Sequence, residues 1–217
     1  MFQPPVFRED RVEVMHALMR EHPFATLVSS ATGTLTADHV PLVLHAEAGS
    51  GAGGNGLLRG HLAAGNPLVR GAPKRAGEAT IDVLAIFQGP QSYVTPSWYA
   101  SKREHGKVVP TWNYVVVHAR GRLRLVRETG WMLAHLRELT ARHESHRPEP
   151  WAVEDAPSDF VARQLKGLVG FEIELKELSG TWKVSQNKGE ADRRGVEAGF
   201  AADPERASMA ALVRERG

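Results

Sequence analysis

The chain contains no cysteine among its 217 residues. That absence removes thiol nucleophiles, thiolate metal centres and disulfide staples together. It also lacks any run of 18 apolar residues, and Met1-Phe2-Gln3-Pro4-Pro5 has no basic-then-apolar order of a secretory leader. The expectation is therefore a cytoplasmic protein. Neither sign of charge dominates: 27 Lys and Arg face 25 Asp and Glu, a formal net of +2. Such a balance gives little electrostatic reason to bind nucleic acid. Aromatic residues are sparse at 7%, which makes their placement informative, whereas 42% hydrophobic and 24% charged residues are ordinary for a globular chain. A chain of this length buries roughly 70% of its unfolded surface, so residues 1–217 are read as a single domain that needs no metal staple.

The pattern along the chain is mainly β with peripheral helices, an α+β class. Asp10 and Glu13 are spaced as a helix-opening capping box, with Val12, Met15, His16 and Met19 on the inward face. Residues 25–29 read as a strand turning at Thr32-Gly33 into a second strand over 34–44, with Pro41 marking an edge or bulge. Gly51, Gly53 and Gly56 match the spacing of a dinucleotide-binding loop, but the next residues, Leu57-Leu58-Arg59-Gly60-His61, read as a strand rather than a helix. That motif works only when it opens a helix, so the match is discounted. Asn66-Pro67 opens a short helix to about Gly71, followed by a basic loop. Strands are expected over 81–87 and 112–126, with mostly irregular chain between them. Helices come next over 129–143 and 158–169, the second ended by Gly170. Strand 171–178 turns at Ser179-Gly180 into a hairpin partner over 181–185, and Asp203-Pro204 caps a last helix near 204–214. Short connections make about seven or eight mainly antiparallel strands, as in a small β-barrel with helical inserts near 129–169. Arg120, Arg122, Arg124 and Arg127 fall on one solvated strand face.

Three segments hold aromatics beside amides and hydroxyls: residues 87–99, 109–114 and 181–188, with three of the five tryptophans and all three tyrosines. Such segments suit a flat heteroaromatic ligand, stacked on its face and hydrogen-bonded at its edge; they equally suit a barrel closed by aromatic plugs. His39 and His61 have no carboxylate or second histidine at ligand spacing, so no metal is expected. His143 and His146 read as a solvated helix end. No G-x-S-x-G elbow is present, so no catalytic residue is assigned.

Eight strings resemble the PaiB family, described as FMN-binding negative transcriptional regulators with an FMN-binding split-barrel fold. They are His22-Pro23-Phe24-Ala25-Thr26-Leu27-Val28, Asp38-His39-Val40-Pro41-Leu42, Gly60-His61-Leu62 with Asn66-Pro67, Ile86-Phe87-Gln88-Gly89-Pro90, Pro96-Ser97-Trp98-Tyr99, Val109-Pro110-Thr111-Trp112-Asn113-Tyr114, Gly170-Phe171-Glu172-Ile173, and Trp182-Lys183-Val184-Ser185-Gln186-Asn187. The resemblance implies a homodimer with FMN in an interface groove touched by both subunits. It carries ring-edge and phosphate contacts onto Thr26, His39, Val40 and His61, and brings Trp112, Asn113, Lys183, Ser185 and Gln186 around the same groove. Where the family string commonly has a basic residue, this chain has Ala64-Gly65, so either Lys183, Lys188 or a nearby arginine compensates or FMN is bound weakly. The regulator role implies DNA as a partner, yet the residues between 144 and 157 are too long and proline-rich for a helix-turn-helix. A flavin-dependent oxidoreductase on the same scaffold is the alternative, and a haem-binding relative would need a histidine free for iron.

Overall fold

The computed structural model describes residues 1–48, 54–71 and 80–216. Gly51 and Gly53 of the glycine pattern, and the basic loop after Gly71, lie outside them. Eight strands are present among the described residues: β1 (Arg8–Glu9), β2 (Phe24–Ser29), β3 (Thr36–Pro41), β4 (Val43–His45), β5 (Leu57–Ala63), β6 (Ile81–Val94), β7 (Thr111–Val126) and β8 (Leu168–Lys183). The helices are α1 (Val12–Glu21), α2 (Pro67–Gly71), α3 (Ser101–Glu104), α4 (Thr129–Glu144), α5 (Ser158–Leu165), α6 (Glu190–Ala201) and α7 (Ala207–Arg216). Hydrogen bonding orders the strands β3-β2-β6-β7-β8-β5-β4, with β1 joined to β8. Strand β2 is antiparallel to β3 and β6, and β5 is antiparallel to β4 and β8.

Residues are grouped into two compact units, and β6, β7 and β8 each contribute to both. One unit comprises 23–86 and 119–178. Its β2 register sets Thr26 opposite His39 and Val28 opposite Leu84, and its core contains Leu27, Leu58, Leu123, Phe171 and Ile173. Gly60 faces Phe171 in the ladder, and a Cβ there would stand 2.4 Å from the Phe171 ring. The glycine is thus what lets that ring fill the core.

The other unit comprises 1–22, 87–118 and 179–217. Helix α1 buries Met15, His16, Leu18 and Met19, while Val12 stays exposed. Its start is tied by Glu9 rather than by the expected Asp10: Glu9 Oε1 accepts the Arg11 N–H at 2.9 Å, whereas Asp10 pairs with Arg8. Glu9 also pairs with Arg216, so one buried carboxylate holds the start of α1 and the end of α7. The Arg11 hydrogen bond, opposed by burial and reinforced by Arg216, holds its pKa down to about 2.

Four further expectations are corrected by the backbone. Strand β6 continues to Val94, through Gly89 and Pro90, because Gly89 leaves room for Leu18 of α1. The hairpin at Ser179-Gly180 does not exist: β8 runs unbroken there, and Gly180 serves close packing, a Cβ meeting Trp182 at 2.7 Å and Met15 at 3.0 Å. Helix α5 ends at Leu165, and Gly170 lies inside β8, where the Trp131 ring occupies the space of a side chain. The 34–44 segment divides at Leu42 into β3 and β4, beside Pro41. Helix α6 has no counterpart among the sequence-based expectations. Its Gly195 and Gly199 form the face against which Trp98 packs, with Cβ approaches of 2.0 Å to the Trp98 carbonyl and 2.3 Å to its ring.

Candidate functional site

Within the 1–22, 87–118 and 179–217 unit, the first residues of β7 and the last of β8 gather a polar cluster. Strand alternation turns Asn113 inward, fully buried, and Trp112 outward. The Asn113 side-chain amide donates to Ser185 Oγ at 3.0 Å, and the Ser185 hydroxyl is placed to donate to Asn113 Oδ1 at 3.2 Å. Ser185 lies just past the end of β8 in a left-handed conformation, φ 70°, which costs a non-glycine residue about 1–3 kcal/mol. Gln186 offsets that strain by accepting the Val184 N–H at 2.8 Å, and Lys188 N–H closes the turn on the Ser185 carbonyl at 2.9 Å. The polar side chains of Asn113, Ser185 and Gln186 are therefore engaged in holding the turn.

What the turn presents is positive charge. Lys183 donates to Thr111 Oγ1 at 2.5 Å, and Lys188 Nζ lies 4.8 Å from the centre of the Tyr99 ring. Neither lysine makes an ion pair among the described residues. Burial lowers the Lys183 pKa, and the Lys188 charge adds to that effect. Tyr99 is 2% exposed, and its hydroxyl has no hydrogen-bond partner; burial, then the Asp192 charge, raises its pKa. Ammonium groups without ion pairs and a hydroxyl without a partner are the kinds of donor a phosphate dianion uses. Tyr93 and Trp112, both exposed, meet edge to face with centroids 6.1 Å apart, an apolar surface suited to a flat ring.

The other unit holds Thr26, His39, Val40 and His61. Thr26 and His39 are cross-strand partners, His39 is exposed beside Phe24, and Val40 is buried. His61 is not solitary: its Nδ1 lies 3.2 Å from His135 Nε2 of α4. Trp131, one helical turn before, stacks on His135 with centroids 5.2 Å apart, and donates its indole N–H to Glu172 at 3.0 Å. Glu172 also accepts from Arg59 and Arg124. Burial, then the His61 ring, lowers the His135 pKa to about 4, and burial lowers that of His61. His45 Nε2 stands 3.4 Å from Glu138, within ion-pair range but not aligned as a hydrogen bond. Sequence reasoning misses His135 and Trp131, although a histidine one turn after a tryptophan on the Met132 side of a helix is an available signal. At Ala64-Gly65, the Arg70 guanidinium reaches within 3.5 Å of where a Gly65 Cβ would stand, so an arginine occupies the neighbourhood of the missing basic residue. The nine expected contacts thus form two sets, four in one unit and five in the other.

Residues 1–177 match the family described as "Putative FMN-binding domain". The chain is 33% identical over 196 residues to the protease synthase and sporulation protein PAI 2 of Bacillus subtilis, covering 90% of this chain and 87% of that one. It is 33% identical over 246 residues to protein AN0679 of Emericella nidulans, covering 100% and 98%. In fold it is similar to the flavocytochrome Anf3 of Azotobacter vinelandii, with a TM-score of 0.55 at 13% identity over 87% of this chain and 75% of that one. The FAD and heme binding protein of Mycobacterium smegmatis gives 0.55 at 14% identity, over 81% and 73%. No helix among the described residues is long and apolar enough to cross a membrane. With a family match across most of its length and a one-third-identical PaiB relative covering nine-tenths of it, this chain belongs to the PaiB family of FMN-binding split-barrel proteins.

Proposed function

We propose that the protein works as a homodimeric FMN carrier in which Lys183 holds the cofactor phosphate, and that it regulates transcription indirectly. The observation that carries this reading is the pair of lysines without ion pairs, one of which lies over the ring of Tyr99, a buried residue whose hydroxyl has no partner. In it, Lys183 and Lys188 neutralise the phosphate, the Tyr99 hydroxyl donates to it, and Thr111 keeps the Lys183 ammonium in place. Asn113, Ser185 and Gln186 fix the turn that carries both lysines. Trp112 covers a ring face, while Thr26, His39, Val40 and His61 supply contacts at a ring edge, the two sets coming from different subunits. FMN itself supplies one- and two-electron transfer when bound.

A regulatory role is supported by the name of the Bacillus subtilis relative, which links it to sporulation. Indirect action is favoured because helices α4 and α5 are separated by a long, proline-bearing connection, and the net charge is only +2. A flavin-dependent oxidoreductase is the second reading, favoured by likeness to a flavocytochrome fold.

Lys183→Ala should bind FMN at least ~10-fold more weakly and leave riboflavin little changed, since a lost charge-assisted contact costs about 1.5–3 kcal/mol. Equal losses for both flavins would remove Lys183 from the phosphate. Light scattering showing a monomer with undiminished FMN affinity would overturn the shared groove. Promoter DNA at ~150 mM salt should bind no better than scrambled DNA, within the ~10⁻⁴–10⁻⁶ M range of non-specific contacts. Nanomolar, sequence-dependent binding would restore direct repression.

A further inference from the structure

The face of β7 that carries the arginines borders a groove of about 620 Å³, lined from β2, β6, β7, β8 and the turn after β2. Its size lies in the range of small-molecule sites. In the stretches that line the groove burial alternates, so Ser29, Val83, Gly121 and Leu175 point inward, while Val28, Leu84, Arg120, Arg122 and Lys176 share the outer face. Val28 and Leu84 are cross-strand partners and form an apolar floor. Leu35, 81% exposed, adds an apolar wall from the β2–β3 turn.

The charges around that floor do not cancel. Arg120, Arg122 and Lys176 line the groove against one carboxylate, Asp82, whose side chain is 96% exposed and only reaches Arg122 at 3.9 Å. Lys176 pairs with Glu174 at its margin, whereas Arg120 makes no ion pair among the described residues. Arg124, by contrast, is neutralised on Glu172, and Arg127 lies beyond the end of β7. An apolar floor with one unneutralised guanidinium, Arg120, and a second, Arg122, held only at 3.9 Å by an exposed carboxylate is complementary to an amphipathic organic anion. A DNA backbone would meet the cations but leave Val28, Leu84 and Leu35 unused.

We propose that this groove binds a small carboxylate or sulfonate with an apolar body, Arg120 and Arg122 taking the anionic group and Val28, Leu35 and Leu84 the body. It is separate from the residues assigned above to FMN, and neither reading requires the other. Calorimetric titration of the whole chain with decanoate, 1-decanol and acetate tests it, each with and without saturating FMN. Decanoate should bind at least ~10-fold more tightly than either other probe, because only it offers both charge and chain. Arg120→Glu should lower decanoate affinity at least ~10-fold, Leu35→Asp should lower it as well, and Arg127→Glu should leave it unchanged. Melting curves establish that each variant is folded. Equal affinity for decanoate and acetate, competition by FMN, indifference to Arg120→Glu, or duplex DNA lost with Arg120→Glu while decanoate is retained would each overturn the assignment.

Discussion

Replacing Glu172 by Gln should destabilise the fold by about 3 kcal/mol, the lower end of what breaking a buried ion pair costs. The Glu172 side chain is 7% exposed and serves three donors: Arg59 Nε at 3.0 Å, Trp131 Nε1 at 3.0 Å and an Arg124 guanidinium nitrogen at 2.5 Å. Gln retains one acceptor oxygen but turns an N–H₂ group toward the cations. The cost stays at the low end because Arg59 and Arg124 are 33% and 60% exposed, so water recovers part of their solvation. At roughly 2–4 °C per kcal/mol for a chain of this size, the melting temperature should fall by about 6–12 °C. Arg124→Ala, an exposed partner, should cost no more than about 1 kcal/mol. Burial raises the Glu172 pKa, but the Trp131 hydrogen bond, Arg124 and Arg59 outweigh it and leave it lowered. The unfolded chain therefore takes up this proton first as pH falls. The contribution is complete above the ordinary carboxylate range near 4.5 and disappears as pH drops through the depressed value. In melts at pH 7 and at pH 3 the gap between wild type and Glu172→Gln should be smaller at the acid end. A loss under about 0.5 kcal/mol at pH 7, or Arg124→Ala costing as much as Glu172→Gln, would refute the view of Glu172 as a buried anchor.

His135 carries a second pH signature of the same sign for the opposite chemical reason. As a base held neutral, with its pKa at about 4 against 6.5 unfolded, it lets the unfolded chain bind the extra proton between those values, so stability should fall from pH 6.5 to pH 4. His135→Gln should flatten that slope in melts across the interval; an unchanged slope would assign it elsewhere. Gly195→Ala should destabilise by about 1–3 kcal/mol through collision with the Trp98 carbonyl, whereas Gly189→Ala, with open space around its Cβ, should be nearly neutral in urea unfolding.

The strands and most helices are legible because period-2 and period-3.6 patterns survive in a chain with ordinary composition. Asn66 is a case where local chemistry suffices: its side chain accepts the Leu68 N–H at 2.8 Å, as a capping residue before Pro67 should. Glycines mislead for one physical reason. Gly170, Gly180, Gly195 and Gly199 are spaces for Trp131, Trp182 with Met15, and Trp98, and a sequence shows a missing side chain without showing which distant ring fills the gap. The candidate site divides similarly. Lys183, Asn113 and Ser185 lie in segments whose mix of aromatics, amides and hydroxyls is visible, but Tyr99 as an orphaned donor depends on burial, and His135 beside His61 depends on a contact across 74 residues.

The seat of Trp98 against α6 also fixes the order in which this part of the chain can change over evolutionary time. Gly199 faces the indole, so a substitution that shrinks Trp98 would release it to become alanine or serine. Gly195 faces the main-chain carbonyl of the same residue, which every amino acid carries. Position 199 should therefore covary with position 98 among relatives, a coupled pair whose two changes are tolerated together better than singly. Position 195 should stay glycine whatever stands at 98, for as long as α6 keeps its place against the turn over 96–98.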